Sequence, residues 1–221
     1  MVKAKQIIVL GSSGTSTSIV DTLCDLAAAD SPYQCLGFLD DDPAIQNKKV
    51  YRDLAVLGPL ASARDYPDAY FVNGIGSPAT FWRKRDILAK TGISDERFER
   101  IVHPTAYITP TAVLGRGVVI LQHATVGSNA RLGNQVVMLP HAVASHDSTI
   151  GDYTCVATGA CISGHASIGH SCYLGANCTI IDRGSVGDLC LIGMGSVVIR
   201  DVSANSVVVG NPARFIRHTC Q

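Results

Sequence analysis

The chain has 221 residues, 47% of them apolar, which is enough for one large or two small domains with a sizeable core. Eighteen basic residues balance eighteen acidic ones, and this neutrality argues against nucleic acid and anionic membranes as partners. No stretch has the ~18 apolar residues of a membrane span, and the apolar run at residues 7–10 is too short for a signal peptide. We therefore expect a cytoplasmic protein.

Strand-like and helix-like segments alternate through the first hundred residues. In chain order, the apolar spacing predicts strand Gln6–Leu10, helix Ser16–Ala28, strand Cys35–Leu39, strand Tyr70–Val72 and helix Phe81–Lys90, the last with its charged face exposed. Glycine-rich or acidic segments follow the three strands, at residues 11–14, 40–42 and 73–76. This β-α-β-α order predicts a small parallel sheet that binds ligands at the carboxyl ends of its strands.

The composition changes near residue 100. Residues 1–101 contain 12 Lys and Arg and 13 Asp and Glu, whereas residues 102–221 contain 6 Arg, 5 Asp, no Lys and no Glu. The number of glycines rises from 7 to 14 across the same boundary. Because Lys and Glu are strong helix formers, their loss predicts a second half with little helix. We therefore expect two domains, residues 1–101 and residues 102–221.

A six-residue repeat runs through the second half. Of the seventeen positions at every sixth residue from Val102 to Val198, fifteen are Ile, Leu or Val. Glycine follows the aliphatic residue eight times, and the residue two places before it is almost always small. The period predicts a coil of three flat faces, with 18 residues per coil and between five and six coils. The aliphatic and small residues should point inward, with a corner after the aliphatic residue, where glycine tolerates unusual dihedral angles.

Eight cysteines raise the question of disulfides or a metal site, but the chain has no C-x-x-C pair. Five cysteines fall at or near multiples of six residues: Cys155, Cys161, Cys172, Cys178 and Cys190. Small buried thiols within the repeat explain this spacing better than a redox framework does.

The repeat resembles that of the hexapeptide-repeat acyltransferases. The whole chain is similar to one branch of them, the sialic-acid O-acetyltransferases and the bacillosamine or perosamine N-acetyltransferases. The motifs that carry this resemblance span essentially all 221 residues: Gly11-Ser-Ser-Gly14, Phe38-Leu-Asp40-Asp41, Gly74-Ile-Gly76, Ile101-Val-His103-Pro104 and Gly210-Asn-Pro-Ala-Arg214. The resemblance implies an N-terminal Rossmann-like α/β domain, a left-handed parallel β-helix with a short C-terminal tail, and a homotrimer.

Acetyl transfer needs a base, which near neutral pH is usually a histidine. The chain has seven histidines: His103, His123, His141, His146, His165, His170 and His218. Only His146 is followed directly by an aspartate, Asp147, and it lies two residues after an inward position, hence at a corner. Spacing alone leaves open a solvated histidine or a base whose tautomer the carboxylate fixes. The resemblance makes His146 the base and Asp147 its partner.

Residues 18 apart should stack in neighbouring coils. His123 should therefore lie under His141, and Asp147 under His165, within contact distance. We expect His123 and His141 to be corner residues or to face the acceptor sugar.

Acetyl-CoA is the expected co-substrate, in a groove along the β-helix between neighbouring subunits. By position, the resemblance puts Cys155, Gly164, Ala176 and Met194 in this groove. Gly164 lies one coil beyond His146, where the lack of a Cβ would let the thioester approach the backbone. Some relatives have a second histidine where this chain has Cys155, which is a departure from the family pattern.

A nucleotide-linked sugar is expected at the loops of the first domain. Free amides at the start of a helix favour phosphate, and the carboxylates that follow the second strand can accept hydrogen bonds from a ribose or a base. The resemblance assigns these contacts to six residues: Ser13, Gly14, Thr15, Asp40, Asp41 and Gly76. Thr15 stands where relatives often have a histidine. The loop is not G-x-G-x-x-G, which argues against a dinucleotide-dependent oxidoreductase.

The resemblance thus implies an acetyl-CoA-dependent N-acetyltransferase that acts directly, without a metal, on the amino group of a nucleotide-linked sugar. A 4-amino-deoxy sugar for bacterial-type surface glycans fits best. The sequence leaves three alternatives open. The first is O-acetylation of a sugar hydroxyl, since one histidine base serves both reactions. The second is a γ-carbonic-anhydrase-like metalloenzyme that uses the pairs His141/His146 and His165/His170. The third is a non-catalytic trimeric scaffold.

Overall fold

The first hundred residues form a five-stranded sheet with one long helix. The computed structural model of the chain describes residues 4–28 and 33–220. The strands are β1 (Lys5–Leu10), β2 (Tyr33–Leu39), β3 (Lys49–Tyr51), β4 (Leu54–Gly58) and β5 (Tyr70–Asn73), and the α-helices are α1 (Gly14–Ala28) and α2 (Lys84–Ala89). Short 3-10 helices cover Pro43–Ile45, Leu60–Asp65, Phe81–Arg83 and Asp95–Arg97.

The sheet order is β3-β4-β2-β1-β5, and all neighbouring strands are parallel except β3 and β4. The three predicted strands and the first predicted helix are confirmed. The predicted helix at residues 81–90 is split into a 3-10 turn and the short α2. The β3–β4 hairpin was not predicted, because its short strands flank a charged turn at Arg52 and Asp53 that hides the apolar alternation.

The second half is a three-sided parallel β-helix. The first face contains β6 (Ile101–Val102), β9 (Val119–Ile120), β12 (Val137–Met138), β15 (Cys155–Val156), β18 (Tyr173–Leu174) and β21 (Leu191–Ile192). The second face contains β7 (Tyr107–Ile108), β10 (Thr125–Val126), β13 (Val143–Ala144), β16 (Cys161–Ile162), β19 (Thr179–Ile180) and β22 (Val197–Val198). The third face contains β8 (Val113–Leu114), β11 (Arg131–Leu132), β14 (Thr149–Ile150), β17 (Ser167–Ile168) and β20 (Ser185–Val186).

The pairing register follows the predicted 18-residue coil. Thr125 pairs with Val143 and Val143 pairs with Cys161, and the other ladders have the same spacing. No described residue from 102 to 220 is helical. The C-terminal tail forms a hairpin of β23 (Ser206–Val209) and β24 (Arg214–His218), and β23 extends the first face beside β21. The β-helix expectation is therefore confirmed, with five full coils and two sides of a sixth.

The interior holds the aliphatic residues and the small residues two places before them. Cys172, Cys178 and Cys190 occupy the small positions and are fully buried, as the spacing predicts. Cys155 is also buried, but it points outward from the first face. Apolar burial of this kind is the main stabilising contribution to each coil.

The backbone dihedral angles at the corners contradict our interpretation of the glycines. The residues with positive φ lie three places after the aliphatic residue and are mostly not glycine, for example Asn129 (φ 59°) and Asp147 (φ 56°). The glycine directly after the aliphatic residue instead packs against the next coil. A Cβ at Gly151 would lie 2.6 Å from the carbonyl carbon of Gly169. Close stacking of coils, rather than dihedral freedom, requires glycine there.

Three columns of corner residues result, and we name each by the faces it joins. Corner 1–2 includes His123, His141, Ala176 and Met194. Corner 2–3 includes His146, Asp147, Gly164 and His165. Corner 3–1 includes Gln135, Tyr153 and His170.

The α/β unit covers the first face of the β-helix. Outward side chains of that face, such as Val119 and Val137, share one buried cluster with Ile7 of β1 and Ile19 of α1. At the edge of this contact, Nε2 of the buried His103 lies 2.9 Å from a carboxylate oxygen of Asp25 in α1. Corner 2–3 lies on the opposite side, because it joins the two faces that the α/β unit does not cover.

Replacing Gly151 should test the stacking. Gly151→Ala would place its Cβ against the backbone of Gly169 and His170, which cannot move aside, so we expect a loss of about 1–3 kcal/mol in the free energy of unfolding, measured with urea. Gly14→Ala is the matched control, since no atom lies within 4 Å of its added Cβ. Equal stability of the two variants would contradict the stacking requirement.

Candidate active site

His146 and Asp147 form a hydrogen-bonded pair at corner 2–3, directly after β13. Nδ1 of His146 lies 2.9 Å from a carboxylate oxygen of Asp147. The other carboxylate oxygen accepts a hydrogen bond of 3.1 Å from Nδ2 of Asn129, one coil below. The N–H at Nδ1 of His146 donates a hydrogen bond to Asp147, which leaves a lone pair on Nε2. Because the ring is exposed, Nε2 can accept a proton from a ligand.

The electrostatics keep Asp147 ionised. The hydrogen bond from His146 is the main reason that the pKa of Asp147 is lowered, and the hydrogen bond from Asn129 and the charge of His165 act in the same direction. A carboxylate in this state stabilises an imidazolium beside it. The pair therefore has the chemistry of a general base and its partner.

Gly164 lies one coil above His146. A Cβ at residue 164 would lie 2.6 Å from Cε1 and 2.7 Å from Nε2 of His146. The imidazole thus lies beside the Gly164 backbone. The glycine makes room for this ring, and the expected approach of a thioester to the Gly164 backbone stays a prediction.

The histidines pair within corners. The rings of His146 and His165 meet edge to face, with centroids 5.1 Å apart, and those of His123 and His141 stack at 5.1 Å as predicted. The pairs His141/His146 and His165/His170, considered for a metal, are not formed, because their members lie at different corners. His170 instead lies 3.2 Å from a carboxylate oxygen of Asp188. The potential ligand atoms of His146, Asp147 and His165 lie within 4.8 Å of one another.

The four residues expected to contact acetyl-CoA do not lie together in one copy of the chain. Ala176 and Met194 stack at corner 1–2, where Met194 is 81% exposed, and only Gly164 shares a corner with His146. Cys155 is 1% exposed and is packed beneath the α/β unit. This burial closes its thiol to a ligand in the groove, so the expected contact of Cys155 with acetyl-CoA is not supported. The sequence could not show which outward positions the first unit covers.

A cleft of about 350 Å³ opens at the carboxyl ends of the strands in the α/β unit. Four of the six predicted sugar-nucleotide residues line it, namely Ser13, Asp40, Asp41 and Gly76, whereas Gly14 and Thr15 form the first turn of α1 and do not line the cleft. Two basic residues that we did not predict, Arg83 and Lys90, also line it. In the sequence, both residues belong to the charged face of the predicted helix at residues 81–90. We did not predict their role because we had assigned that face to solvent.

Both carboxylates in the cleft are held in place. Asp41 accepts hydrogen bonds from Nζ of Lys90 at 2.7 Å and from the backbone N–H of Leu60 at 3.0 Å. Partial burial alone would raise the pKa of Asp41, but these two hydrogen bonds and the charge of Lys90 lower it. Asp40 accepts a hydrogen bond of 2.7 Å from the hydroxyl of Ser12. The cleft therefore presents fixed anionic acceptors beside cationic side chains.

The cleft and His146 lie on opposite sides of the β-helix. The cleft residue Gly76 adjoins the first face, since a Cβ there would lie 3.9 Å from the sulfur of Cys155. His146 stands at corner 2–3, opposite that face. One copy of the chain therefore does not bring its own cleft and its own His146 together.

A buried lysine joins the α/β unit to the β-helix below the cleft. Lys84 is fully buried, and its Nζ donates a hydrogen bond of 2.8 Å to the backbone carbonyl of Gln135. Burial lowers the pKa of Lys84 to about 8. Burial also raises the pKa of the neighbouring Cys155 to about 11.

Solved structures of three proteins share this fold. The acetyltransferase domain of PglB from Neisseria gonorrhoeae FA1090 is 23% identical, with a TM-score of 0.81 over 96% of this chain and 100% of that one. A mutant of GDP-perosamine N-acetyl transferase from Caulobacter crescentus, in complex with CoA and GDP-perosamine, is 19% identical, with a TM-score of 0.82 over 98% of each chain. WeeI from Acinetobacter baumannii AYE is 20% identical, with a TM-score of 0.68 over 96% of this chain and 100% of that one.

These similarities concern the fold. The PglB domain is also known in complex with acetyl coenzyme A, with 24% identity to this chain. The chain matches no protein-family model and no curated sequence. The resemblance to hexapeptide-repeat sugar acetyltransferases is therefore confirmed at the level of the fold. No helix among the described residues is both long and apolar enough to cross a membrane.

The buried Lys84 predicts a particular dependence of stability on pH. Its folded-state pKa of about 8 lies below the ordinary 10.5, so between these values the unfolded chain binds more protons than the native one. Lys84 should therefore make the free energy of unfolding increase with pH between pH 8 and 10.5. Urea denaturation across this range should show a steeper rise in wild type than in Lys84→Met. Parallel pH profiles would contradict the burial of the ammonium group.

Proposed function

We propose that this chain is an acetyl-CoA-dependent N-acetyltransferase that acts on the amino group of a nucleotide-linked amino sugar. The observation that carries the proposal is the exposed His146–Asp147 pair with a free Nε2, on a fold shared with sugar acetyltransferases. The titles of two such structures name acetyl coenzyme A, and CoA with GDP-perosamine, as their ligands. A separate cleft with fixed carboxylates and two cations suits the nucleotide part of such a sugar.

The chemistry assigned to the pair is general base catalysis. Nε2 of His146 accepts a proton from the sugar amine as the amine nitrogen bonds to the thioester carbonyl carbon. Asp147 stabilises the imidazolium that forms. His146 then returns the proton to the sulfur as the bond between carbon and sulfur breaks, which gives the amide and the free thiol. Backbone N–H groups of the corner are the candidate donors to the oxyanion.

Acetyl-CoA would lie along corner 2–3, with its thioester at His146. His146, Gly164, Asp182 and Arg200 are 18 residues apart, so Arg200 stands three coils above the base, or about 14 Å away at the usual strand spacing. Ile181 and Ile199 are 42% and 46% exposed between these levels and can pack against a pantetheine arm.

The phosphates of the co-substrate would bind near the C-terminal hairpin. Arg200 and Arg214 line a cavity of about 460 Å³ at that end of the β-helix, together with Ile199 and Phe215. Guanidinium groups bind phosphate oxygens in pairs of hydrogen bonds. These residues were absent from our expectations, because the sequence does not show how the tail folds back on the last coil.

The nucleotide-linked sugar would bind in the cleft of the α/β unit. Backbone amides of the loop at residues 11–13, directly before α1, and the side chains of Arg83 and Lys90 favour a diphosphate. Asp40 and Asp41 would accept hydrogen bonds from ribose or base. The amino group would then project out of the cleft toward the base.

A second copy of the chain must supply that base, and we propose a homotrimer. Because the cleft and corner 2–3 lie on opposite sides of one β-helix, the cleft of one copy would face His146 of another. Exposed apolar residues near the co-substrate path, including Met194 and Ile199, suit burial between copies. Corner 2–3 of one copy would then meet corner 1–2 of its neighbour, which brings Ala176 and Met194 to the same groove.

The experiment that tests the function is a thiol-release assay with acetyl-CoA and a panel of UDP-, GDP- and dTDP-linked 4-amino sugars. Free sialic acid is included as an acceptor that can be acetylated only on hydroxyl groups, because its nitrogen is already acylated. Turnover of at least one amino sugar supports the proposal. Turnover of sialic acid alone would favour O-acetylation, and no turnover of any acceptor would contradict the proposed activity.

The base is tested by substitution. His146→Ala should lower kcat by roughly 10²–10⁴-fold and leave KM for acetyl-CoA close to wild type, because only the proton acceptor is lost. Asp147→Asn should cost less, since its amide oxygen still accepts a hydrogen bond. If His146→Ala retained most of its activity, His146 would not be the base.

A further inference from the structure

A second groove lies on the other side of α2 from the cleft. Two adjoining cavities of about 160 and 290 Å³ share the residues Arg85, Asp95 and Tyr153. The groove is bounded by α2 and the 3-10 helix at residues 95–97 on one side, and by corner 3–1 on the other. Arg83 and Lys90, which flank α2, line the cleft, whereas Arg85 and Leu88 of α2 line the groove.

The inner, smaller cavity is apolar with one buried polar group. Leu88, Ile93 and Phe98 form its walls. Gln135 lines it as well and is only 3% exposed, and its Oε1 has no hydrogen-bond partner among the described residues. A buried amide oxygen without a partner is costly, and a ligand that donates a hydrogen bond to it would remove that cost.

The outer cavity has unused polar side chains. Across residues 4–28 and 33–220, the side chains of Arg85, Asp95 and Tyr153 make no hydrogen bond or ion pair with each other or with the rest of the protein. Asp152 also lines this cavity, and His170 beside it is already paired with Asp188. Carboxylates therefore outnumber free cations here, which disfavours a phosphate and favours hydroxyl or amino donors.

From these features we propose that the groove is a second ligand site, which takes an uncharged molecule of nucleoside type. Its flat ring lies in the inner cavity beside Phe98, and the edge of the ring pairs with the amide of Gln135, which offers both a donor and an acceptor. Its hydroxyl groups form hydrogen bonds in the outer cavity with the side chains of Asp95 and Tyr153, which are unpaired among the described residues. The site is separate from the cleft, and its existence does not depend on the proposed transferase activity.

Ligand binding in the groove can affect the cleft through Gln135 and α2. The backbone carbonyl of Gln135 accepts a hydrogen bond from Nζ of Lys84, the first residue of α2, and Gln135 also lines the groove. A ligand on Gln135 therefore contacts the residue that anchors α2, and α2 carries Ile87, which lines the cleft. Any effect of this ligand on sugar-nucleotide affinity must be matched by an equal effect in the reverse direction.

The proposed trimer leaves the groove open. It would use corners 1–2 and 2–3 to form the co-substrate groove, so corner 3–1, which carries Tyr153 and His170, stays accessible. Only this point rests on the proposed function.

Calorimetric titration of the full chain tests the site directly, without any turnover. The probes are uridine, thymidine, cytidine, adenosine and guanosine, each beside its 5′-monophosphate. Because the cleft can also take nucleotides, the titrations use the Asp40→Ala/Asp41→Ala variant, in which the cleft is impaired. We expect at least one nucleoside to bind this variant more tightly than its monophosphate does. Adding Tyr153→Phe and Asp95→Ala, both at accessible positions, should weaken this binding at least tenfold.

Three results would overturn the proposal. They are the absence of nucleoside binding at millimolar concentration, tighter binding of the monophosphates to the cleft variant, and loss of nucleoside binding in the cleft variant but not in the groove variant. Unfolding curves that match wild type would establish that each variant is folded. Should Tyr153→Phe/Asp95→Ala fail to fold, Gln135→Asn provides the second test, since asparagine tolerates the positive φ of residue 135 and withdraws the amide from the cavity.

Discussion

Stacking of 18-residue coils is the constraint on which the rest of this structure depends. Each corner residue lies directly over the residue 18 places earlier, about 4.8 Å away. This spacing lets Asn129 reach Asp147 and favours glycine at residue 164, where the His146 ring lies close to the position of a Cβ. The proposed base is thus positioned by its own coil and by those above and below it. A rigid scaffold of this kind suits a reaction in which alignment contributes much of the rate.

The repeat made the β-helix predictable almost residue by residue. A period of six gives the faces, the inward residues and the stacking of His123 under His141, since all of these follow from the position of a residue within its coil. The role of glycine was misjudged, because a one-dimensional pattern cannot distinguish a need for positive φ from a close approach of the next coil. Residues at contacts between units were also missed. The resemblance placed Cys155 in the acetyl-CoA groove, and we had assigned the charged face that includes Lys90 to solvent, but the α/β unit buries Cys155 and Lys90 lines the cleft.

The two parts of the candidate site, the cleft and His146, lie on opposite sides of one chain. The α/β unit holds its cleft against the first face, while His146 stands at the corner furthest from that face. In the proposed trimer, the cleft of one copy meets His146 of a neighbouring copy, so activity would depend on assembly. No motif in the sequence carries this information, because it depends on which face the first unit covers. That choice is fixed by apolar side chains such as Val119 and Val137, which point out of the first face.

Subunit complementation tests this central claim most directly. Two inactive variants, His146→Ala and Asp40→Ala/Asp41→Ala, are co-expressed with different tags, and mixed oligomers are purified through both tags. If the cleft of one copy works with His146 of the next, each mixed trimer has one intact site of three, and activity should return to about a third of wild type. If the cleft and the base of the same copy act together, every site carries a defect, and the mixed oligomers should stay as inactive as their parents.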